Sequence, residues 1–324
     1  MPPFRQPTFK YDYDVDHELK ALRDYPKRPD KADRAIPPKG NERMLLATWN
    51  IANLGVQKRR PKDYRLIAEI LSWFDIAAIQ EANDNLEGLR GIQAQLPDYY
   101  RLVFSDPGGN RERFAFIYDK RKIEPLEEIG EVTIPPRDLR AVKLPGVTQS
   151  FDGFDRNPYL GSWRCRDFTF ELADVHLYFG TAKDGAAGIA RRCLEAFAVA
   201  RWADIRRRDA NAYTNNILAL GDFNLPVQNA SDPVYRALTQ RGLHLPDHST
   251  KVGGSNLTGD AYYDQMAIFP GPVEDAIEKI GVFDFDGAVF GDLWGPSKTE
   301  QTRFRSYVKY YLSDHRPLWA ELQV

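Results

Sequence analysis

Cysteine is nearly missing from this 324-residue chain: there are two, Cys165 and Cys193. That excludes a disulfide framework and a zinc site built on paired thiolates. An excess of charge of one sign is missing as well. Lys and Arg total 44 against 46 Asp and Glu, a formal net charge of −2, so no global positive field draws in nucleic acid blindly. Three local basic runs, Lys58-Arg59-Arg60, Arg206-Arg207-Arg208 and Arg303 with Arg305, read as solvated helix or loop faces. No apolar run is long enough to span a bilayer, and the first residues lack the apolar segment of a signal peptide. The expectation is a cytoplasmic chain with reduced thiols. A Walker P-loop, a glycine-rich dinucleotide fingerprint and a Gly-x-Ser-x-Gly elbow are all absent. Internal repeats, low-complexity tracts and an inter-domain linker are absent too.

Hydrophobic residues make up 43%, enough for a substantial core. Residues 1–43 are rich in Pro, Tyr, Lys and Asp and read as an extension that wraps the domain or is partly flexible. Residues 44–324 then interleave strands and helices. Met44–Ile51 and Asp75–Glu81 read as strands flanking a helix over Pro61–Phe74. Further strands are expected at Arg113–Tyr118, Phe168–Leu177, Asn216–Leu220, Tyr263–Phe269 and Leu318–Leu322. Helices are expected at Ile189–Arg208 and at Asp232–Arg241, the latter capped by Ser231. Residues 134–161, rich in Pro and Gly, read as a long loop.

The strand ends carry the chemistry. Asn50 closes the first strand and Glu81 the second. His176 stands near the end of Phe168–Leu177. Asp222 and Asn224, two residues apart, follow Ile217–Leu220 and fall on one face. Asp314 and His315 precede the last strand, in Ser313-Asp314-His315-Arg316-Pro317. Asp222 and Asn224 alone could make a turn, a metal site or a phosphate site. A Glu directly after an apolar run has no turn chemistry to explain it. Taken together, carboxylates and amides without thiols suit a hard divalent cation. Two histidines can move a proton or contact a phosphoryl oxygen. This inventory fits metal-assisted attack of water on a phosphoester.

TWNI (48–51), IQE (79–81), VHL (175–177), GDFN (221–224) and SDHRP (313–317), in that order, resemble the signature of the endonuclease/exonuclease/phosphatase superfamily. The pancreatic-type deoxyribonuclease pattern is the nearest. Its segments are similar to Glu112–Phe116, Phe154–Pro158 and Tyr262–Gln265. The resemblance covers residues 44–324 as a catalytic domain and leaves 1–43 outside it. It implies an α/β fold: a four-layered α-β-β-α sandwich of two mixed β-sheets with outer helices. It also implies a Mg²⁺-dependent phosphoesterase, with Mn²⁺ as a substitute. Glu81, Asn50 and Asp314 would hold the metal. Asp222 would hold or activate water, and Asn224 would orient phosphate or nucleophile. His315, with its tautomer fixed by Asp264, and His176, partnered by Glu112, would serve the phosphoryl group. Arg156, on a loop overhanging the cleft, would grip a phosphate.

Two departures bear on duplex DNA: Ala82-Asn83-Asp84 follows the metal glutamate without an arginine, and Asn110 stands where the pattern has a groove-reading tyrosine. The expected substrate is single- or double-stranded nucleic acid cut endonucleolytically by a monomer. Small-molecule or lipid phosphoesters are the second reading. A catalytically inactive binding relative is the third, opposed by the completeness of the residue set.

Overall fold

Alternation along the strands builds this architecture. The computed structural model describes residues 3–28, 30–180 and 183–324. The chain runs α1 (Val15–Asp24), β1 (Arg43–Leu54), α2 (Pro61–Ser72), β2 (Ile76–Asn83), α3 (Glu87–Gln93), β3 (Tyr100–Phe104), β4 (Glu112–Asp119), β5 (Ile123–Glu131) and α4 (Pro136–Leu139). It continues through β6 (Tyr159–Cys165), β7 (Phe168–His176), α5 (Gly185–Arg206), β8 (Ile217–Asp222), α6 (Pro233–Thr239), β9 (Asp264–Ile268), α7 (Pro272–Ala276), β10 (Ile277–Val282), α8 (Lys298–Tyr311) and β11 (Leu318–Gln323). Among the described residues the strands form a six-stranded sheet, ordered β10-β11-β1-β2-β4-β3, and a five-stranded sheet, ordered β5-β6-β7-β8-β9. Both are mixed: β1 with β2 and β7 with β8 are parallel, and the other neighbours are antiparallel.

Period-two alternation divides each strand between two environments. Met44 and Leu46 of β1, Ile76 and Ala78 of β2, Phe170 and Leu172 of β7, Leu218 and Leu220 of β8 and Met266 of β9 meet in the core between the sheets. Leu45, Ala47 and Trp49 face outward onto residues of α1, α2 and α8. Ala173, Val175, Ile217 and Ala219 face the other way onto α5 and α6. The result is four layers, α-β-β-α. Cys165 lies in the central core and Cys193 in the outer α5 layer, so the two buried thiols stay unpaired.

Described residues ahead of β1 pack onto this sandwich. Asp14 caps α1 by accepting from the N–H groups of Asp16 and His17. Leu19, Leu22 and Tyr25 are buried in the outer core. The Glu18 carboxylate accepts from Phe290 N–H at 2.8 Å, and Tyr13 Oη donates to Asp63 at 2.7 Å. Three local expectations change. Asp232, not Ser231, caps α6, accepting from Val234 and Tyr235 N–H; Ser231 is turned to Asn229. The loop over 134–161 contains α4, and β6 begins within it. The basic run at 58–60 is not a solvated face, because Arg59 is buried.

Candidate functional site

The same alternation that fills the central core delivers polar side chains to one end of it. In β1 the inward series Met44, Leu46 continues as Thr48 and Asn50. In β7 it continues as Asp174 and His176, in β8 as Asp222, and in β9 it begins at Asp264. Register sets His176 opposite Asp222, and Asp222 opposite Asp264, so three adjacent strands present one row. Glu112 opens β4 on the face that carries Phe114 and Phe116 inward. Gly221 supplies the close contact beneath this row. Its φ is +135°, and a Cβ there would sit 2.0 Å from the Val175 carbonyl oxygen.

Glu81 reaches the site by a different route. Strict alternation would send it outward with Ile79. A bulge interrupts β2 pairing on both sides, and Glu81 takes a left-handed φ of +59°, which turns its carboxylate inward. Its Oε2 accepts from Asn53 N–H at 2.7 Å and its Oε1 from Asn50 Nδ2 at 3.0 Å. Asn53, also left-handed, belongs to the matching irregularity in β1.

Asp222 is the centre of the arrangement. Its Oδ2 accepts from Asn50 Nδ2 at 3.0 Å and lies 3.6 Å from His176 Nε2 and 3.9 Å from His315 Nε2. Its Oδ1 accepts from Asn224 N–H at 2.8 Å. Each imidazole has a carboxylate behind it. His315 Nδ1 donates to Asp264 Oδ2 at 2.7 Å. His176 Nδ1 lies 3.3 Å from Glu112 Oε2. Burial opposes protonation of His315, but Asp264, Asp222 and Asp314 outweigh it and hold the imidazole's pKa well above its ordinary value. Burial also opposes ionisation of Glu112, yet His176 and Arg156 hold that carboxyl well below the usual range. Asp314 shifts upward through burial and the neighbouring charges of Glu81 and Asp222.

Loops hold the halves together. Ser313 Oγ donates to the Asn50 carbonyl at 2.6 Å and accepts from His315 N–H at 3.0 Å. Trp49 Nε1 donates to the His315 carbonyl at 2.8 Å. Arg59, unnoticed in its charged run, donates to the carbonyls of Ala52 (2.6 Å), Leu312 (2.9 Å), Tyr311 (3.2 Å) and Asn53 (3.4 Å). It thus clasps the segment carrying Asn50 to the end of α8, just before Asp314. Burial lowers its pKa to about 10, so it stays charged at neutral pH.

No family model matches the chain. It is 29% identical over 206 residues to a deoxyribonuclease of Thioalkalivibrio sp. (strain K90mix), a match over 61% of this chain. The chain spans half the length of that relative. Among solved structures it is similar to a mannosyl-6-phosphatase of Bacteroides thetaiotaomicron VPI-5482, with TM-score 0.55 and 19% identity over 86% of this chain and 99% of that one. It is also similar to an endonuclease/exonuclease/phosphatase family protein from Bacteroides thetaiotaomicron, with TM-score 0.53 and 18% identity over 86% and 97% of the two chains. The chain has the endonuclease/exonuclease/phosphatase fold.

Within this endonuclease/exonuclease/phosphatase fold, the donor set can be tested against a divalent cation. Asn50 Oδ1 is buried without a hydrogen-bond partner while its Nδ2 is spent on Glu81 and Asp222. An orphaned amide oxygen beside Glu81 and Asp314 fits a hard cation. Asp222, Asp264 and His315 also offer atoms within 4.8 Å of one another, a second carboxylate and histidine grouping that could hold a metal. His315 Nδ1 in that grouping is already engaged with Asp264 Oδ2 at 2.7 Å. Asn224 is turned inward, Nδ2 donating to the Leu177 carbonyl at 2.8 Å, and braces Asp222. Arg156, the expected phosphate grip, is buried beside Glu112 and His176. Its buried guanidinium donates to Glu112 Oε2 (2.9 Å) and to the carbonyls of His176 (3.1 Å) and Leu177 (3.2 Å). Three of its five N–H groups are engaged internally, so Arg156 fastens the His176–Glu112 side.

Proposed function

We propose that this chain is a Mg²⁺-dependent phosphodiesterase, most simply an endonuclease-like nuclease. The observation that carries the reading is Asp222 Oδ2, placed between two carboxylate-backed imidazoles and the amide of Asn50. Mg²⁺, with Mn²⁺ as a substitute, would be held by Asn50 Oδ1, Glu81 and Asp314. When bound it would supply Lewis-acid stabilisation of charge on the phosphoryl oxygens. Asp222, braced by Asn224, holds the attacking water and accepts its proton. His315, kept cationic by Asp264, donates to a non-bridging phosphoryl oxygen and stabilises the charge that develops there. His176, backed by Glu112 and fastened by Arg156, does the same from the other side.

The 29% identity to a deoxyribonuclease supports nucleic acid as the substrate class. The net charge of −2 favours a second reading, small-molecule or lipid phosphoesters. An inactive relative is disfavoured because every chemical role above has its residue. Unpaired buried thiols support a reducing compartment such as the cytoplasm. Among the described residues no helix is long and apolar enough to cross a membrane.

The test is hydrolysis of bis-p-nitrophenyl phosphate with and without Mg²⁺, followed by single-stranded DNA, plasmid, RNA, nucleotides and phospholipid. Metal-dependent cleavage of the diester and of a polynucleotide is expected. Turnover only of small phosphomonoesters would replace this reading by the second.

A further inference from the structure

A large apolar side chain stands exposed on the segment that leaves β7. Phe179 is 42% exposed, among few large hydrophobic residues so placed in the described chain. It follows His176 by three residues, a span of at most about 11 Å of backbone. Its position is held. Arg192 donates to the carbonyls of Tyr178 (2.7 Å), Phe179 (2.5 Å) and Asn224 (2.9 Å). One guanidinium therefore ties the Phe179 backbone to the residue that braces Asp222. The same guanidinium carbon lies 5.4 Å from the centre of the Phe179 ring. Neighbouring Tyr178 is occupied, with Arg191 over its ring at 4.1 Å and its hydroxyl 3.1 Å from Asp184. Phe179 is the aromatic face that the segment keeps outward.

An exposed aromatic ring costs solvation free energy unless something covers it. Base stacking on aromatic side chains tolerates any sequence, because every base has a π-face. A duplex hides those faces within its own stack, whereas a single strand offers them. Resting on the phosphodiesterase reading above, we propose that Phe179 is a stacking platform for an unpaired base flanking the scissile phosphate. It would be a specificity-determining residue that selects single-stranded nucleic acid over sugar and lipid phosphates. The low overall charge agrees with this: grip through stacking needs fewer phosphate contacts than grip through counterion release.

The test compares Phe179→Ala and Phe179→Trp with the unaltered chain. The readouts are kcat/KM on a short single-stranded oligonucleotide and on bis-p-nitrophenyl phosphate, both with Mg²⁺. Alanine should lower kcat/KM on the oligonucleotide about tenfold, the scale of one lost base stack, and leave the small diester unchanged; tryptophan should restore the oligonucleotide rate. Equal losses on both substrates, or none on either, would overturn the proposal. Binding separates it from the catalytic reading. With EDTA present, the Kd of a labelled phosphorothioate oligonucleotide should rise about tenfold in Phe179→Ala. An unchanged Kd counts against the platform even where cleavage occurs. An unaltered chain that cleaves nothing but shows the Kd difference would remove the catalytic reading and keep the platform.

Discussion

The two ends of the sandwich make opposite use of the same strands. β2 starts just after Asp75 and carries Glu81 near its other end; β4 begins at Glu112 and finishes at Asp119. At the Asp75 end each buried carboxylate has a cation. Lys122 Nζ donates to Asp75 at 2.6 Å, Lys39 Nζ stands 3.4 Å from Asp75 and 3.6 Å from Asp119, and Arg121 pairs with Asp119 at 2.6 Å. At the other end, Asp222 and Asp264 pair only with histidines among the described residues, and Glu81 accepts only from amides. A cavity of about 870 Å³ opens at the Asp75 end, lined by Lys39, Asp75, Asp119 and Lys122. Glu81, which accepts only from amides and has no lysine or arginine within ion-pair distance among the described residues, is the carboxylate of the opposite end for which a cation remains to be supplied.

The sharpest break of this comparison is removal of that cation. EDTA should abolish turnover, and added Mg²⁺ or Mn²⁺ should restore it. Glu81→Gln should raise the Mg²⁺ concentration needed for half-maximal rate. Full activity in metal-free buffer would make the two ends equivalent and sink the assignment.

Next in size is the imidazole pair. His315→Ala should lower kcat by roughly 10²–10⁴, and Asp264→Asn by less. Because they touch at 2.7 Å, the double variant should be far from additive. Losses that multiply independently would show that the pair does not act as a unit.

The opposite end should respond in stability alone. Asp75→Asn takes the charged partner from Lys122 and leaves Lys39 with Asp119 alone; it should cost on the order of 3 kcal/mol, the low end for a broken buried pair. Both lysines keep some exposure, at 17% and 27%, which argues against a larger value. Urea unfolding midpoints measure the loss, and kcat should stay unchanged. A drop in kcat would mean that the poles are coupled.

Much of the site was legible because period-two alternation is local. Asn50, His176, Asp222 and Asp264 follow their strands' inward faces, and the ordered motifs marked them. Glu81 arrives through a bulge and a left-handed φ, which no alternation rule anticipates; only its place after an apolar run drew notice. Arg156 looked exposed, since Pro and Gly neighbours suggest a surface loop, and its buried contacts depend on residues far along the chain. Arg59 was hidden by Lys58 and Arg60. Strands β3, β5, β6 and β10 went unread; β5, in Ile-Glu-Pro-Leu-Glu-Glu-Ile-Gly-Glu, is a largely exposed edge with little apolar pattern. Helix α8 was missed although Ser297 and Glu300 form a reciprocal capping box.

The last effect concerns the row beneath the site. Asp174 is fully buried between the sheets, with Oδ1 accepting from Gln80 Nε2 at 2.5 Å and Oδ2 unpartnered. Gln80 also donates to Thr48 Oγ1 at 2.9 Å. Burial drives the Asp174 pKa well above its ordinary value, only partly offset by Gln80 and by the Val175 and Ile79 N–H groups. The folded state therefore holds a proton that the unfolded chain releases near pH ~3.9. Below that pH both states are protonated and the group is neutral to stability. Above it the unfolded state binds fewer protons, and stability falls by about 1.4 kcal/mol per pH unit until the folded pKa is reached. Asp174→Asn removes that proton linkage with little change of shape. Urea unfolding at pH 4, 6 and 8 should show the variant gaining on the unaltered chain as pH rises, with kcat nearly unchanged. A stability difference constant across the three pH values would mean that Asp174 is already ionised in the fold, and that this buried row, like the Asp75 end, has found a positive partner.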